Sequence, residues 1–392
     1  MISDKLLTEY SYLVSARFEA INTRYIKLMA NQIKEIGTLN ATNIHRLEQM
    51  LKMNSNIEEI NTLLAMESHR TLNELYKVYD MSGMSLYGDT LKYYTANGKI
   101  QVPFEQNSWI QNYLEGVKNL TASTFNNLSQ TTTIFESYRN LVDTAIDTVA
   151  TGQQDYQSVI RHYLNDNSLN NLVKSPDGGL RVQYTSGRTR RLDSAIRMNV
   201  LDGVRQVYNG IREQTGREFG ADGVEISAHG LCAADHINIQ GKQYSKIEFT
   251  KLNESLSRPI STCNCKHSIY PIVLGISKPA HSKEELKEYK YNSEQKFEIN
   301  GKEYTKYEAS QLMRKMETEM RYAKDRYIFG TECDMSDIAD EAKEKLKLLR
   351  TKYNEVTNIT GLEKRYDKAY VPGFKGIGNP KPKNIVLKPI TS

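Results

Sequence analysis

Ile239-Gln-Gly-Lys-Gln-Tyr-Ser-Lys-Ile-Glu-Phe-Thr-Lys-Leu252 returns sixty residues later as Ile299-Asn-Gly-Lys-Glu-Tyr-Thr-Lys-Tyr-Glu-Ala-Ser-Gln-Leu312, with seven of fourteen positions identical. Each copy holds a turn dipeptide, Gln240-Gly241 or Asn300-Gly301, in which glycine admits positive φ. Each then sets a hydroxyl three residues ahead of a glutamate, Ser245 before Glu248 and Thr305 before Glu308. That is a capping box, in which hydroxyl and carboxylate satisfy the free amides of a helix start. The spacing predicts strand, tight turn, strand and capped helix, twice over. Two copies are too few for a solenoid, so the repeat reads as one hairpin-to-helix solution used twice in a compact C-terminal domain.

Upstream the pattern is helical. Leu6, Tyr10, Leu13, Ala16, Ile21, Tyr25, Met29 and Ile33 keep one apolar stripe from Lys5 to about Ile36. A second helix begins near Thr42 and runs to about Tyr79, with an interruption expected at Ser55-Asn56. Further helices are expected over Trp109–Leu120 and Ile134–Val149. Residues 1–170 therefore read as all helical, either a self-contained bundle or helices reaching out to a partner. At Ser175-Pro-Asp-Gly-Gly179 the composition breaks, and Leu180–Tyr184 alternates as a short strand before a turn at Thr185-Ser-Gly187. A helix follows from Asp193 to about Thr215. Beyond the repeat come a helix from Lys306 to Tyr327, stopped by Gly330, and another over Ser336–Tyr353. The expectation is an α+β protein: long helices over 1–170, an α+β domain over 180–368, and an extended Pro/Gly/Lys tail over 369–392.

The chain has 392 residues, 39 % hydrophobic and 25 % charged, which is ample material for a core. No apolar run approaches the eighteen or so residues of a membrane span, and the first residues carry charge throughout, so neither membrane insertion nor secretion is expected. Four cysteines in this length do not make a disulfide framework, and folding in a reducing cytoplasm is expected. Net charge is a mild +5, yet Arg181 to Arg217 holds eight arginines against three acids. Arg190, Arg197, Arg205 and Arg212 recur every seven or eight residues and fall within about one quadrant of a helix. They form either a solvated face or a basic ridge for DNA or an acidic partner.

Chemistry concentrates in two stretches, His229-Gly-Leu-Cys232-Ala-Ala-Asp235-His236 and Ser261-Thr-Cys263-Asn-Cys265-Lys-His267. If Thr262–Tyr270 is a strand, Cys263, Cys265 and His267 project from one face. Zinc takes four soft or borderline donors, and these three with His229, Cys232 or His236 would supply them. Small thiols packed in a reduced core are the plainer reading. A Cys/His nucleophile, or a metal-dependent nuclease built on Asp235-His236, needs geometry that spacing does not show. Phosphate-loop and nucleophile-elbow motifs are absent from the sequence.

The segments Ser227-Ala-His-Gly-Leu-Cys-Ala-Ala-Asp-His236, Gly241-Lys242, Asn264-Cys-Lys-His-Ser268 with its continuation to Ser277, Ser186–Asn199 and Tyr304–Gln311 together resemble phage minor capsid proteins of the MuF-like head morphogenesis family, minor capsid protein 2 type. The resemblance covers about residues 180 to 370. It implies a structural virion component of a tailed phage or prophage, assembled in the host cytoplasm. Such a component acts near the portal vertex in head morphogenesis, with portal and other head proteins, and viral DNA, as partners. It also implies that 1–170 is the portal-docking part. The rival class is a virion-associated enzyme delivered with the DNA, a metal-dependent nuclease or an ADP-ribosyltransferase-type effector. An essential cofactor is not expected beyond the zinc that the Cys/His donors would suit.

Overall fold

A computed structural model describes residues 4–37, 43–132, 179–262 and 265–383, with a few positions between 142 and 161. The helix expected over Ile134–Val149 lies mostly outside these residues, as do Cys263 and the end of the tail.

Helix α1 (Asp4–Ile36) buries Tyr10, Ile21, Tyr25, Met29 and Ile33 of the expected stripe, but in its first half the buried line is Leu7, Val14 and Phe18, and the expected Leu6, Leu13 and Ala16 are half-buried beside it. Helix α2 (Asn43–Gly88) is continuous through Ser55-Asn56, contrary to expectation. Asn56 does not break it because its amide faces inward and donates to Gln32 Oε1 (3.1 Å), while Gln32 Nε2 donates to the Gln49 carbonyl (2.6 Å). A polar bridge thus sits inside the α1–α2 seam, with Met53, Ile57 and Ile60 keeping the apolar stripe around it. A short α3 (Leu91–Ala96) leads to α4 (Ser108–Gln130), capped by Asn107 and ten residues longer than the periodicity indicates, since Phe125 and Leu128 extend the buried face.

The expected strand and turn form as β1 (Arg181–Gln183) and a bend through Gly187, and a second strand the sequence reading did not include, β2 (Thr189–Arg191), pairs back onto β1. They feed α5 (Leu192–Glu218), which is packed by α1, α2 and α4 and is buried on most sides. Close approach there depends on glycine. A Cβ on Gly203 would lie 1.8 Å from the Tyr79 hydroxyl, and one on Gly210 2.1 Å from the Tyr113 ring.

The small sheet has the order β4-β3-β5, all antiparallel, from β3 (Gly223–Ile226), β4 (Gln243–Ser245) and β5 (Ile269–Ile272). Between β3 and β4 lies the one-turn α6 (Ala234–Ile237), so the first repeat copy makes no local hairpin and β4 pairs with β3 instead. The second copy does, as β6 (Lys296–Ile299) and β7 (Lys302–Thr305). Both predicted capping boxes form, starting α7 (Lys246–Ser255) and α9 (Lys306–Glu332); a third, Ser282 with Glu285, starts α8 (Lys283–Glu294). Of the strand expected over Thr262–Tyr270, residues 265–268 are loop and β5 begins only at Ile269.

Helix α9 runs through Gly330 and forms an antiparallel pair with α10 (Ser336–Thr360). Gly330 does not stop α9; its missing Cβ lets the start of α10 approach, the Ala339 amide lying 2.9 Å from where a Cβ would be. Gly361, in the left-handed region, ends α10 seven residues beyond Tyr353. The tail is not free where it is described: Val371 and Phe374 are buried, and Lys324 Nζ donates to the Ala369 and Gly378 carbonyls and to Asn379 Oδ1.

One hydrophobic core runs from Leu7 to Phe374, crossing the composition break at 170–180. Where α1, α5 and α9 meet, a charged centre is buried. Arg191 donates to Glu19 (2.6 Å), Asp193 (3.1 Å) and Asp325 (2.7 Å), and Arg321 donates to Asp193. A second, smaller core of Ile226, Ile260 and Cys265 lies under the β4-β3-β5 sheet.

Candidate functional site

The small core carries the Cys/His residues. Leaving β3, the chain turns at Leu231, which holds a left-handed φ of 71°, and the amides of Leu231 and Cys232 are both received by Ser293 Oγ. Helix α6 then presents His236. On the other side, Ser261 also adopts positive φ (66°), Asn253 Oδ1 accepts from the Ile260 amide, and the Ser268 amide donates to Ser227 Oγ. Two of the four non-glycine residues with positive φ among the described residues therefore flank this cluster, the kind of backbone strain that surrounding structure must hold in place.

His236, Cys265 and His267 are all buried, and one donor atom from each lies within 4.8 Å of the others. Sγ of Cys265 is 3.3 Å from His267 Nδ1 and 3.7 Å from His236 Nδ1. Hydrogen-bond partners fix both tautomers. His236 Nε2 meets the Arg258 carbonyl (2.9 Å), which can only accept, so that nitrogen carries the hydrogen. Gln240 Oε1 accepts from the His229 amide (3.0 Å), which orients the carboxamide, and the same oxygen then accepts from His267 Nε2 (3.0 Å). Both Nδ1 lone pairs are left pointing at the thiol.

The electrostatics follow. Burial, reinforced by neighbouring His229 and His236, lowers His267 to about 3 and keeps its imidazole neutral. Burial works to raise Cys265, but the hydrogen bond it shares with His236, together with nearby backbone amides, outweighs burial and holds the thiol below its usual value. For His236 burial is likewise outweighed by Cys265 and the Arg258 carbonyl, and its value rises. Cys232 and Cys333 go the other way, burial pushing them up to about 11 and about 12.

The sequence candidates thus divide. His236, Cys265 and His267 converge; His229 lies against His267 with ring centroids 4.4 Å apart and planes tilted by 33°; Cys232 lines the same cavity but directs its sulfur to Ser293; Cys263 lies outside the described residues. The cavity, about 400 Å³, separates the cluster from α9 and the segment after α10, and Arg258, Lys266, Arg314 and Arg365 line it against Glu363. Gln240 and the Arg258 carbonyl were not singled out by sequence reading, although Gln240 stands where the second repeat has a turn-forming Asn.

The arginines do not share one free face. Arg212 is buried and stacks on Tyr270 (4.4 Å), Arg197 lies over Tyr12 (4.9 Å), Arg205 sits 3.8 Å from Asp202, and Arg190 is exposed. Arg190 lies in β2, outside the helix expected to carry all four, and the other three ride on α5, whose position at the centre of the bundle turns most of its surface inward.

Fold and site together define an α+β protein, a long-helix core with a small sheet that holds a buried two-histidine, one-cysteine cluster. The chain belongs to the phage minor capsid protein 2 family, whose model matches residues 2–358. No curated protein and no solved structure matches it.

Proposed function

We propose that this chain is a structural, portal-proximal head morphogenesis protein of a tailed phage or prophage, built into the virion during assembly in the host cytoplasm. The observation that carries this reading is the family match across residues 2–358, which includes the helical part as well as the sheet. The exposed side of α2 supports a role in protein contact. Leu47, Leu51, Met66 and Met84 are all exposed on it and fall within a sector of about 100° at helical spacing, and exposed Leu91, Ile100 and Val102 follow beyond its end. No helix among the described residues is long and apolar enough to cross a membrane. On this reading portal and other head proteins are the partners of the α2 face, and exposed Arg190 is the member of the arginine series placed to meet DNA.

Quantitative mass spectrometry of purified heads, with chemical cross-linking, tests it. A few copies per particle, with α2 cross-linked to the portal, is the expected result. Absence from purified heads, or shell-like copy number with cross-links spread over the major capsid protein, would overturn it.

A further inference from the structure

We infer that His236 Nδ1, Cys265 Sγ and His267 Nδ1 are a binding site for a borderline divalent cation, Zn²⁺ foremost. The first argument is proton count. Both Nε2 atoms already donate, to the Arg258 carbonyl and to Gln240 Oε1, so both Nδ1 atoms are acceptors. Between them lies one thiol, which has one proton to give. Three lone-pair donors buried around a single proton are poorly satisfied as a hydrogen-bonded core, but they are what a cation requires.

The second argument is metric. With Zn–S near 2.3 Å and Zn–N near 2.05 Å, a tetrahedral centre sets sulfur and nitrogen about 3.6 Å apart. The two S···N separations here are 3.3 and 3.7 Å, and the remaining pair of donor atoms is within 4.8 Å. The third argument is support. Metal-bound imidazoles characteristically donate their other N–H to a carbonyl or carboxylate that fixes tautomer and ring orientation. Both histidines do so here, to acceptors that are themselves placed by the backbone: Gln240 Oε1 is held by the His229 amide, and the Arg258 carbonyl lies in the loop whose Ile260 amide is anchored on Asn253.

Binding would release the Cys265 proton to solvent and leave both imidazoles neutral, giving a thiolate and two nitrogens on the ion. These three residues also line the cavity, so the fourth position is reached from that side, by water or by an anionic group drawn to the Arg258, Arg314 and Arg365 wall.

The test uses the full chain, purified under reducing conditions. Elemental analysis is expected to give about one zinc per chain, and replacement by Co²⁺ to give the intense visible absorption of a tetrahedral site with a thiolate-to-cobalt charge-transfer band. Zinc should protect Cys265 from alkylation by iodoacetamide in peptide mapping, and a chelator should remove that protection. Cys265→Ser and His236→Gln should lose the metal; Gln240→Ala, which touches no ion, should weaken it about 10–100-fold; Cys333→Ala should keep it. The spectrum and the alkylation pattern are read on the unaltered protein, so a variant that fails to fold does not blunt the test. Folded protein that neither retains zinc nor gives the cobalt spectrum would overturn the assignment, as would stoichiometric metal persisting in folded Cys265→Ser.

Discussion

The charged centre at the junction of α1, α5 and α9 makes an unequal prediction for its three carboxylates. Glu19, Asp193 and Asp325 face two guanidiniums, Arg191 and Arg321, so full ionisation would bury one uncompensated negative charge. Burial pushes Glu19 up to about 8, with Arg191 opposing and Asp325 and Asp193 reinforcing, and it raises Asp325 as well. Asp193 is lowered: burial disfavours its charge, but Arg321 and Arg191 on either side outweigh burial. One proton therefore resides on the Glu19/Asp325 pair at pH 7, while Asp193 is a full anion. Glu19→Gln replaces a mostly protonated acid and should cost about 1 kcal/mol or less, since the amide oxygen still accepts from Arg191. Asp193→Asn leaves two guanidiniums short of their anion and should cost about 3–5 kcal/mol, as breaking a buried pair does. The pH dependence has a definite sign. Between the unfolded value near 4.5 and the folded value near 8, the folded chain binds the extra proton. Stability from Glu19 is thus complete below about 4.5 and is lost as pH rises through 8, with a slope approaching 1.4 kcal/mol per pH unit for one proton. Urea unfolding followed by circular dichroism at pH 5, 6.5 and 8 measures this, the wild type losing stability relative to Glu19→Gln as pH rises. Equal costs for Glu19→Gln and Asp193→Asn at pH 7, or a pH-independent difference between wild type and Glu19→Gln, would refute the shared proton.

Lys324 runs with the opposite sign: burial, with Arg350, lowers it to about 7, so its contribution to stability rises with pH from 7 towards 10.5. Lys324→Met removes the donor to the Ala369 and Gly378 carbonyls, while Asn379 Oδ1 keeps the Val371 amide, and should cost about 2–3 kcal/mol at pH 7, with hydrogen exchange accelerated over 369–379. Gly203→Ala should destabilise by about 1–3 kcal/mol despite alanine's better helix propensity, because Tyr79 is fully buried and cannot retreat; a stabilised variant in thermal melts would contradict the packing. Ser245→Ala, Ser282→Ala and Thr305→Ala each remove a capping box and should cost about 1 kcal/mol, the three adding nearly independently in urea titrations.

Sequence periodicity located the long helices well because each buries a stripe at helical spacing, and it erred where a polar residue faces inward. Asn56 looks like a breaker only until its partner Gln32 is known, and that partner is on another helix. The same blindness hid the Arg191 centre, whose members Glu19, Arg191 and Asp325 are more than a hundred residues apart and individually resemble surface charges. In the candidate site, residue type carried the information. Cysteine and histidine in two short stretches marked the region, and His236, Cys265 and His267 meet within it. What selected those three over His229 and Cys232 is the direction of single side chains, set by a one-turn helix and by two loop residues with positive φ, Leu231 and Ser261, and neither of these residue types advertises such a conformation.

The repeat shows how far local identity reaches. Its two copies agree at half their positions, including Gly, Tyr and the capping Glu, and those shared residues do the same work in both: Gly241 and Gly301 take φ of 68° and 72°, and each capping box starts a helix. The difference lies one residue earlier. A tight type I′ hairpin needs positive φ at both central residues. Asn300 supplies it, at 53°, and β6 folds straight back onto β7; asparagine tolerates that region because its short carboxamide can bond locally. Gln240 is not among the positive-φ residues, and the chain before it, Ala234-Asp-His-Ile237, coils into α6. The consequence is chemical as well as geometric. With Gln240 outside a hairpin, its carboxamide is free to turn inward onto His229 and His267, and with residues 234–237 helical rather than extended, His236 reaches Cys265. Replacing Gln240-Gly241 by Asn-Gly would give the first copy the turn of the second. The stronger local hairpin signal would then compete with α6 for His236, so the outcome to measure is whether the Cys265–His236 pairing, read by cysteine alkylation, is lost while the Ser245 capping box is kept.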